Sequence, residues 1–188
     1  MRLEEKRIAG FLLAVGGVVC ILGIIVSEAF YPGYSTSENV ISDLGVGPSS
    51  IIFNSSVFIL GVFILFGAYF IHKAFKVGVF SVLVALAGVG AIGVGIFTED
   101  VRIVHRVFSL IVFLFGGLSA VASYKLQKPP LSYFSAVLGF IVILALILFG
   151  SGNYLGLGRG GMERMIAYPA LLWTVMFGGY LMGKSSGA

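Results

Sequence analysis

The chain has 188 residues, 59% of them hydrophobic and only 11% charged, with a net charge of +4 and a mean hydropathy of +1.08. A soluble domain carries roughly a quarter charged residues, so this composition excludes a water-solvated globule and makes lipid the solvent for most of the surface. The basic excess follows membrane topology, as traced below, and this excludes a nucleic-acid partner.

At about 20 residues per crossing, six apolar runs fill the chain: 8–26, 51–71, 77–97, 104–124, 131–149 and 165–182. They predict an all-α membrane protein, a six-transmembrane-helix bundle forming a single domain over residues 1–188 with no separate soluble domain. Residues 1–7 (MRLEEKR) have the charge of a signal-peptide n-region. The run behind them has the length of a full span and lacks a small-x-small cleavage site, which reads as a retained first helix. Cys20, the only cysteine, lies inside that run. No intramolecular disulfide or CxxC chemistry is open to it, and it reads as a small packed residue.

The longest interruption follows, residues 31–47 (YPGYSTSENVISDLGVG). Ser35 and Glu38 fit a capping box, and Gly45 fits the left-handed position after a helix end. Together they predict a short interfacial helix over 35–44. Val40, Ile41 and Leu44 share one side of it, while Asn39 and Asp43, four apart, project from another with Glu38 and Ser42 beside them. Pro48 suits the first turn of the second span, whose start brings Asn54, Ser55 and Ser56 to the same region.

A second polar motif, TEDVRIVHR at 98–106, opens the fourth span. Thr98 fits an N-cap, and Glu99 and Asp100 complement the positive end of the helix dipole. His105 and Arg106 then fall roughly two turns into the helix, a depth at which charge must snorkel, pair or line a polar cavity. Arg102 and Arg106 share a face, suited to a phosphate or, as the preferred reading, to pairing with Glu38 and Asp43. A third motif, GGMER at 160–164, leads to Tyr168 and Pro169. Arg164 and Tyr168 share a face, and Pro169 is expected to kink the helix. Trp173 lies too deep for an interfacial aromatic and reads as packing.

The two histidines, His72 and His105, fall at opposite ends of their spans, which excludes a bis-histidine haem. His105 with Glu38, Asp43, Glu99, Asp100 or Glu163 has the chemistry for zinc, but no ligand spacing specifies it. The sequence assigns no metal and no cofactor.

Six spans put both termini on one side. That side carries Arg2, Lys6, Arg7, Lys73, Lys76, Lys125, Lys128 and Lys184; the other carries Arg102, Arg106, Arg159 and Arg164. Eight against four in short loops places both termini in the cytoplasm at the cell membrane. Glu4 and Glu5 alone are then inside, and the other six acidic residues are outside with the polar motifs. Small residues four apart (Gly16 and Cys20; Ala87, Ala91 and Gly95; Gly116 and Ala120) predict close helix packing in lipid, with a homo-oligomer through such faces as one possible use.

The pieces YPGYSTSENVISDLG (31–45), FTED…H (97–105) and GMERMIAYP (161–169) resemble the signature of a prokaryotic six-span membrane family known as domain of unknown function 998. The resemblance covers nearly the whole chain and implies a six-helix bundle with these residues at its outer end. It implies no reaction. Three function classes are then expected in order. The first is binding of a membrane lipid or lipid-like ligand, or a structural role, using Asn39, Ser42, Asn54, Asp100, Arg102, Arg106, Glu163, Arg164 and Tyr168. The second is an outer-leaflet lipid-modifying hydrolase or transferase, with His105, Asp43, Glu38 or Glu99 as acid or base. A small-solute transporter comes last, because the middles of the spans are almost free of ionisable residues.

Overall fold

The computed structural model describes residues 2–183; Lys184, counted above among the basic anchors, lies outside the described residues. These form helices and turns without a strand. The six long helices are α1 (Arg2–Ala29), α2 (Ser50–Phe75), α3 (Gly78–Ile96), α4 (Arg102–Ala122), α5 (Leu131–Gly150) and α6 (Gly158–Gly183). All six are long and apolar enough to cross a membrane, as the hydrophobic runs predict. The sharpest difference is α6, which starts seven residues before its apolar run, so that Gly160, Glu163 and Arg164 are helical and buried. Polar residues that pack on protein leave no hydropathy signal, and the helix start is therefore invisible to a transfer scale. Pro169 is also buried within α6, which remains one helix across it.

Each helix packs on the next in sequence, and α6 closes on α1 to make a ring, with α4 also touching α6. One end of the ring carries the α1–α2, α3–α4 and α5–α6 connections and is called the loop end here. Glycines set several of the close approaches. A Cβ on Gly61 of α2 would lie 2.8 Å from the Gly88 carbonyl oxygen of α3, and one on Gly178 of α6 would lie 2.6 Å from that of Gly10 in α1. A Cβ on Gly139 of α5 would meet the Gly117 oxygen of α4 at 2.6 Å. In lipid, where burying apolar surface drives little, such contact is the main source of helix affinity. Of the small-residue faces expected above, the one on α3 is used in this way inside the bundle: Ala87 and Ala91 are buried, and a Cβ on Gly95 would lie 2.9 Å from the Asn54 carbonyl oxygen of α2, whereas a Cβ on Gly116 of α4 would meet no atom within 4 Å.

Trp173 is core, as expected. It stacks on Phe177 with ring centroids 5.4 Å apart, and its Nε1–H donates to Ser123 Oγ at 3.0 Å.

Candidate functional site

The 31–47 segment folds back onto the loop end, and its local structure differs from the helix expected over 35–44. The helical part is a 3-10 turn, Ile41–Gly45. The Ser35–Glu38 capping box does not form: the Ser35 N–H donates to Asn39 Oδ1 at 3.0 Å, and Glu38 is exposed. Asp43 performs the capping one turn later, its Oδ2 accepting from Val40 N–H at 3.1 Å and Asn39 Nδ2 at 3.0 Å. Gly45 is not among the described glycines with positive φ. It lies against Asn54: a Cβ there would be 2.7 Å from Asn54 Oδ1, and Asn54 Nδ2 donates to its carbonyl at 2.9 Å. Val40, Ile41 and Leu44 are buried together, as the sequence pattern predicts.

What holds this segment down is Arg164. Its Nη1 donates to the carbonyls of Thr36, Asn39 and Gly160 at 2.9, 3.1 and 3.0 Å. Nη2 donates to the Glu28 carboxylate and, at 2.9 Å, to Tyr34 Oη. Tyr34 passes the contact on, its hydroxyl donating to the Val40 carbonyl at 2.8 Å, and its ring stacks under the guanidinium at 5.5 Å. Burial pushes the Tyr34 phenol up to about 12, so it stays a neutral donor. Arg164 thus spends both terminal nitrogens on protein acceptors. Glu163 beside it accepts from the Ile41 backbone N–H. The glycines before it admit the loop: a Cβ on Gly160 would lie 2.0 Å from the Asn39 carbonyl oxygen, and the Gly160 N–H donates to Ser37 O at 2.8 Å.

At the start of α4 the expected two turns of helix are one. Glu99–Val101 is a 3-10 turn, and Thr98 makes no side-chain cap; its hydroxyl donates to Asp100 Oδ2 at 3.3 Å. His105 is buried, and its Nδ1 lies 2.7 Å from the Phe97 carbonyl oxygen. A carbonyl only accepts, so Nδ1 carries the proton of this bond and Nε2 is the ring atom turned toward the space beyond. The preferred pairing of Arg102 and Arg106 with Glu38 and Asp43 is overturned. Asp43 is engaged within its own turn, Glu38 faces solvent, and among the described residues the ion pairs are Arg164–Glu28 and Arg159–Glu99, the latter at 3.9 Å. Glu99 also accepts from Ser42 Oγ at 3.2 Å.

Two voids meet at this end. A cavity of about 90 Å³ runs inside the ring, walled by aliphatic residues of α1, α2, α3, α4 and α6 and capped by Ile41 and Ser42. A lateral opening of about 650 Å³ lies between α4, α5 and α6, with Glu99, Arg106 and Arg159 at its polar part and Leu110, Leu146, Phe149 and Ile166 at its apolar part. Ser42, His105, Ser109, Phe113 and Glu163 line both. Of the residues singled out from sequence, the structure therefore gathers Ser42, Glu99, His105, Arg106 and Glu163 around two adjoining voids. Glu38, Asn39, Asp43, Asn54, Asp100, Arg102, Arg164 and Tyr168 line neither void. Among the described residues, no three of His, Cys, Asp and Glu cluster as metal ligands.

A family model described as a protein of unknown function, DUF998, matches residues 14–180. The chain belongs to the DUF998 family. No curated protein and no solved structure matches it. In this DUF998 chain the three pieces that carry the resemblance converge at the loop end: 31–45 supplies the folded-back segment, 97–105 the His105 ring, and 161–169 the arginine that clamps the first.

Sequence reasoning missed Glu28, Tyr34, Ser109 and Arg159. Glu28 and Tyr34 flank the polar segment, and an intramembrane arginine needs such partners, so they could have been nominated. Ser109 was findable as the residue four after His105 on the same helix face. Arg159 carries no local signal, since its neighbours Gly158 and Gly160 read only as a turn.

Proposed function

We propose that this DUF998 protein binds an anionic amphiphile of the membrane in the lateral opening between α4, α5 and α6. Its termini are cytoplasmic, and its loop end faces outward at the cell membrane. One observation carries the reading: Arg106 and Arg159 sit at the polar part of an opening whose remaining walls include Leu110, Phe113, Leu146, Phe149 and Ile166. Arg106 has no ion-pair partner among the described residues, and Arg159 reaches Glu99 only at 3.9 Å. The unpaired Arg106 guanidinium beside apolar wall suits a headgroup phosphate or carboxylate with its chain alongside. The outward orientation rests on the basic excess at the other end, and it draws the ligand from the outer leaflet.

The Arg164–Glu28–Tyr34 network is assigned the structural role, because both terminal nitrogens of Arg164 are spent on backbone and side-chain acceptors of the same chain. A lipid-modifying hydrolase or transferase is the second reading, favoured by His105: its Nε2 has no partner among the described residues, and the ring borders both voids. Transport ranks last, for want of ionisable residues in the middles of the spans.

Native mass spectrometry of the protein released from nonionic detergent tests the proposal. An anionic lipid is expected to co-purify with the wild type and to fall at least about tenfold in occupancy in the Arg106→Gln, Arg159→Gln double variant. Equal occupancy in the two proteins, or no bound anionic lipid, overturns it.

A further inference from the structure

The lateral opening alone does not say how many chains the ligand has, but the cavity behind it does. We infer that the ligand is a single-chain phosphate amphiphile, whose chain passes from the opening between Ser109 and Phe113 into the central cavity while its phosphate stays at Arg106 and Arg159. The inference rests on the proposed binding function and adds the ligand class and its path.

Three zones follow one face of α4. Arg106 stands at the rim. His105, Ser109 and Phe113 form the neck, where the two voids share their walls. Val112 and Gly116 then line the cavity. From Arg106 to Gly116 the helix rises ~15 Å at its ordinary pitch. Along α4 the order is charge, then hydrogen-bonding groups, then hydrocarbon, the order of phosphate, ester or hydroxyl linkage, and chain in a single-chain phospholipid. Across from α4 the neck also carries the Glu163 carboxylate, which accepts from the Ile41 N–H. Phe113 stands between the two parts of the fold, packing on the main core and also on the smaller cluster of Val142, Ala145, Met162 and Ile166.

Size decides the chain number. A water needs roughly 15 Å³ of such space, so about 90 Å³ takes a file of only about six water-sized groups. That fits part of one hydrocarbon chain and leaves no room for two. The space is apolar, and an empty apolar cavity gains dispersion contacts when filled. Gly116 marks it directly. Among the described buried glycines it alone would carry a Cβ with no atom within 4 Å. Entry from the loop end is closed by Ile41 and Ser42, which cap the cavity and are held by Glu163 and Glu99. The remaining approach is the lateral one, through the wall that the two voids share at Ser109 and Phe113.

Gly116→Leu fills this space without touching the rim. Binding to wild type and variant is measured in nonionic detergent with four probes: a lysophosphatidate, a prenyl phosphate, a diacyl phosphatidate and glycerol phosphate. The wild type is expected to bind one or both single-chain probes at least about tenfold more tightly than the diacyl lipid or glycerol phosphate, and the two single-chain arms tell a glycerolipid from an isoprenoid. Gly116→Leu is expected to lose at least about tenfold in single-chain affinity while melting no lower than wild type without ligand; Gly116→Met serves if the leucine variant does not fold. Unchanged single-chain affinity in the variant, or equal affinity for the diacyl lipid, overturns the inference. The double Arg106→Gln, Arg159→Gln variant separates the two claims: if it alone weakens binding, the rim is the site and the chain lies elsewhere. If the wild type binds no probe, both claims fall.

Discussion

Arg164 shows how one side chain ties together segments far apart in sequence. Its acceptors include a carboxylate at the end of α1, a phenol and two carbonyls in the 31–47 segment, and one carbonyl in its own helix. With the side chains of Arg164 and Glu28 only 10% and 20% exposed, removing the cation leaves a largely buried carboxylate and several carbonyls unpaired. Arg164→Ala is therefore expected to lose about 3–5 kcal/mol, read as a lowered melting temperature in detergent. Arg164→Lys should recover little of that, because a point ammonium cannot reproduce the planar fork. Glu28→Gln should cost less than Arg164→Ala, since an amide oxygen still accepts. Equal melts for Arg164→Lys and wild type would refute the clamp. The sequence singled out Arg164 as a binding candidate that shares a helix face with Tyr168. Its partners were not legible: backbone carbonyls at Thr36 and Asn39 are identical in every residue type, and nothing in the sequence brings them to a helix more than a hundred residues later.

At the level of the helices, what was legible and what was not divides along solvent. Six spans follow from hydropathy because lipid-facing residues must be apolar, and all six are found. The 3-10 turn at Ile41–Gly45 was expected as a longer helix, because Ser35 and Glu38 do have capping chemistry. Asn39 and Asp43 offered competing caps, and tertiary bonds from α6 chose them. The glycines were legible as close-packing residues, but not which of them fill that role. Gly178 and Gly116 separate the cases. A Cβ on Gly178 would strike the backbone of α1, the Gly10 oxygen at 2.6 Å and Ala14 N at 2.7 Å, so the two helices must part. Gly178→Ala is expected to cost about 1–3 kcal/mol. Gly116→Ala adds a methyl into empty space and removes a helical glycine, so it is expected to gain about 0.5–1 kcal/mol. Thermal melts of the two variants in one detergent check the sign; a stabilised Gly178→Ala or a destabilised Gly116→Ala would contradict the packing described.

Taken whole, the molecule has two unlike ends, and the difference bears on which leaflet the opening faces. At the loop end lie Glu28, Glu38, Asp43, Glu99, Asp100 and Glu163, several of them bound into the folded-back segment and the mouth of the lateral opening. At the other end the charged groups are simple anchors: Lys6 rests on the Phe75 ring at 4.9 Å and Lys73 on the Tyr69 ring at 4.8 Å. Basic residues in short loops resist translocation whereas acidic ones contribute little, so the proposed orientation keeps the anchored end in the cytoplasm and sets the opening at the outer leaflet. The chain offers a clean test because its only cysteine, Cys20, is buried and can be replaced by serine. On that background Glu38→Cys and Lys125→Cys place one thiol at each end, both at exposed positions. A membrane-impermeant maleimide applied to intact cells is expected to label Glu38→Cys and to leave Lys125→Cys unlabelled until the membrane is broken. The reverse pattern would turn the protein over and make any ligand an inner-leaflet one. The bundle and its lateral opening would stand unchanged, since neither depends on which way the ring was inserted.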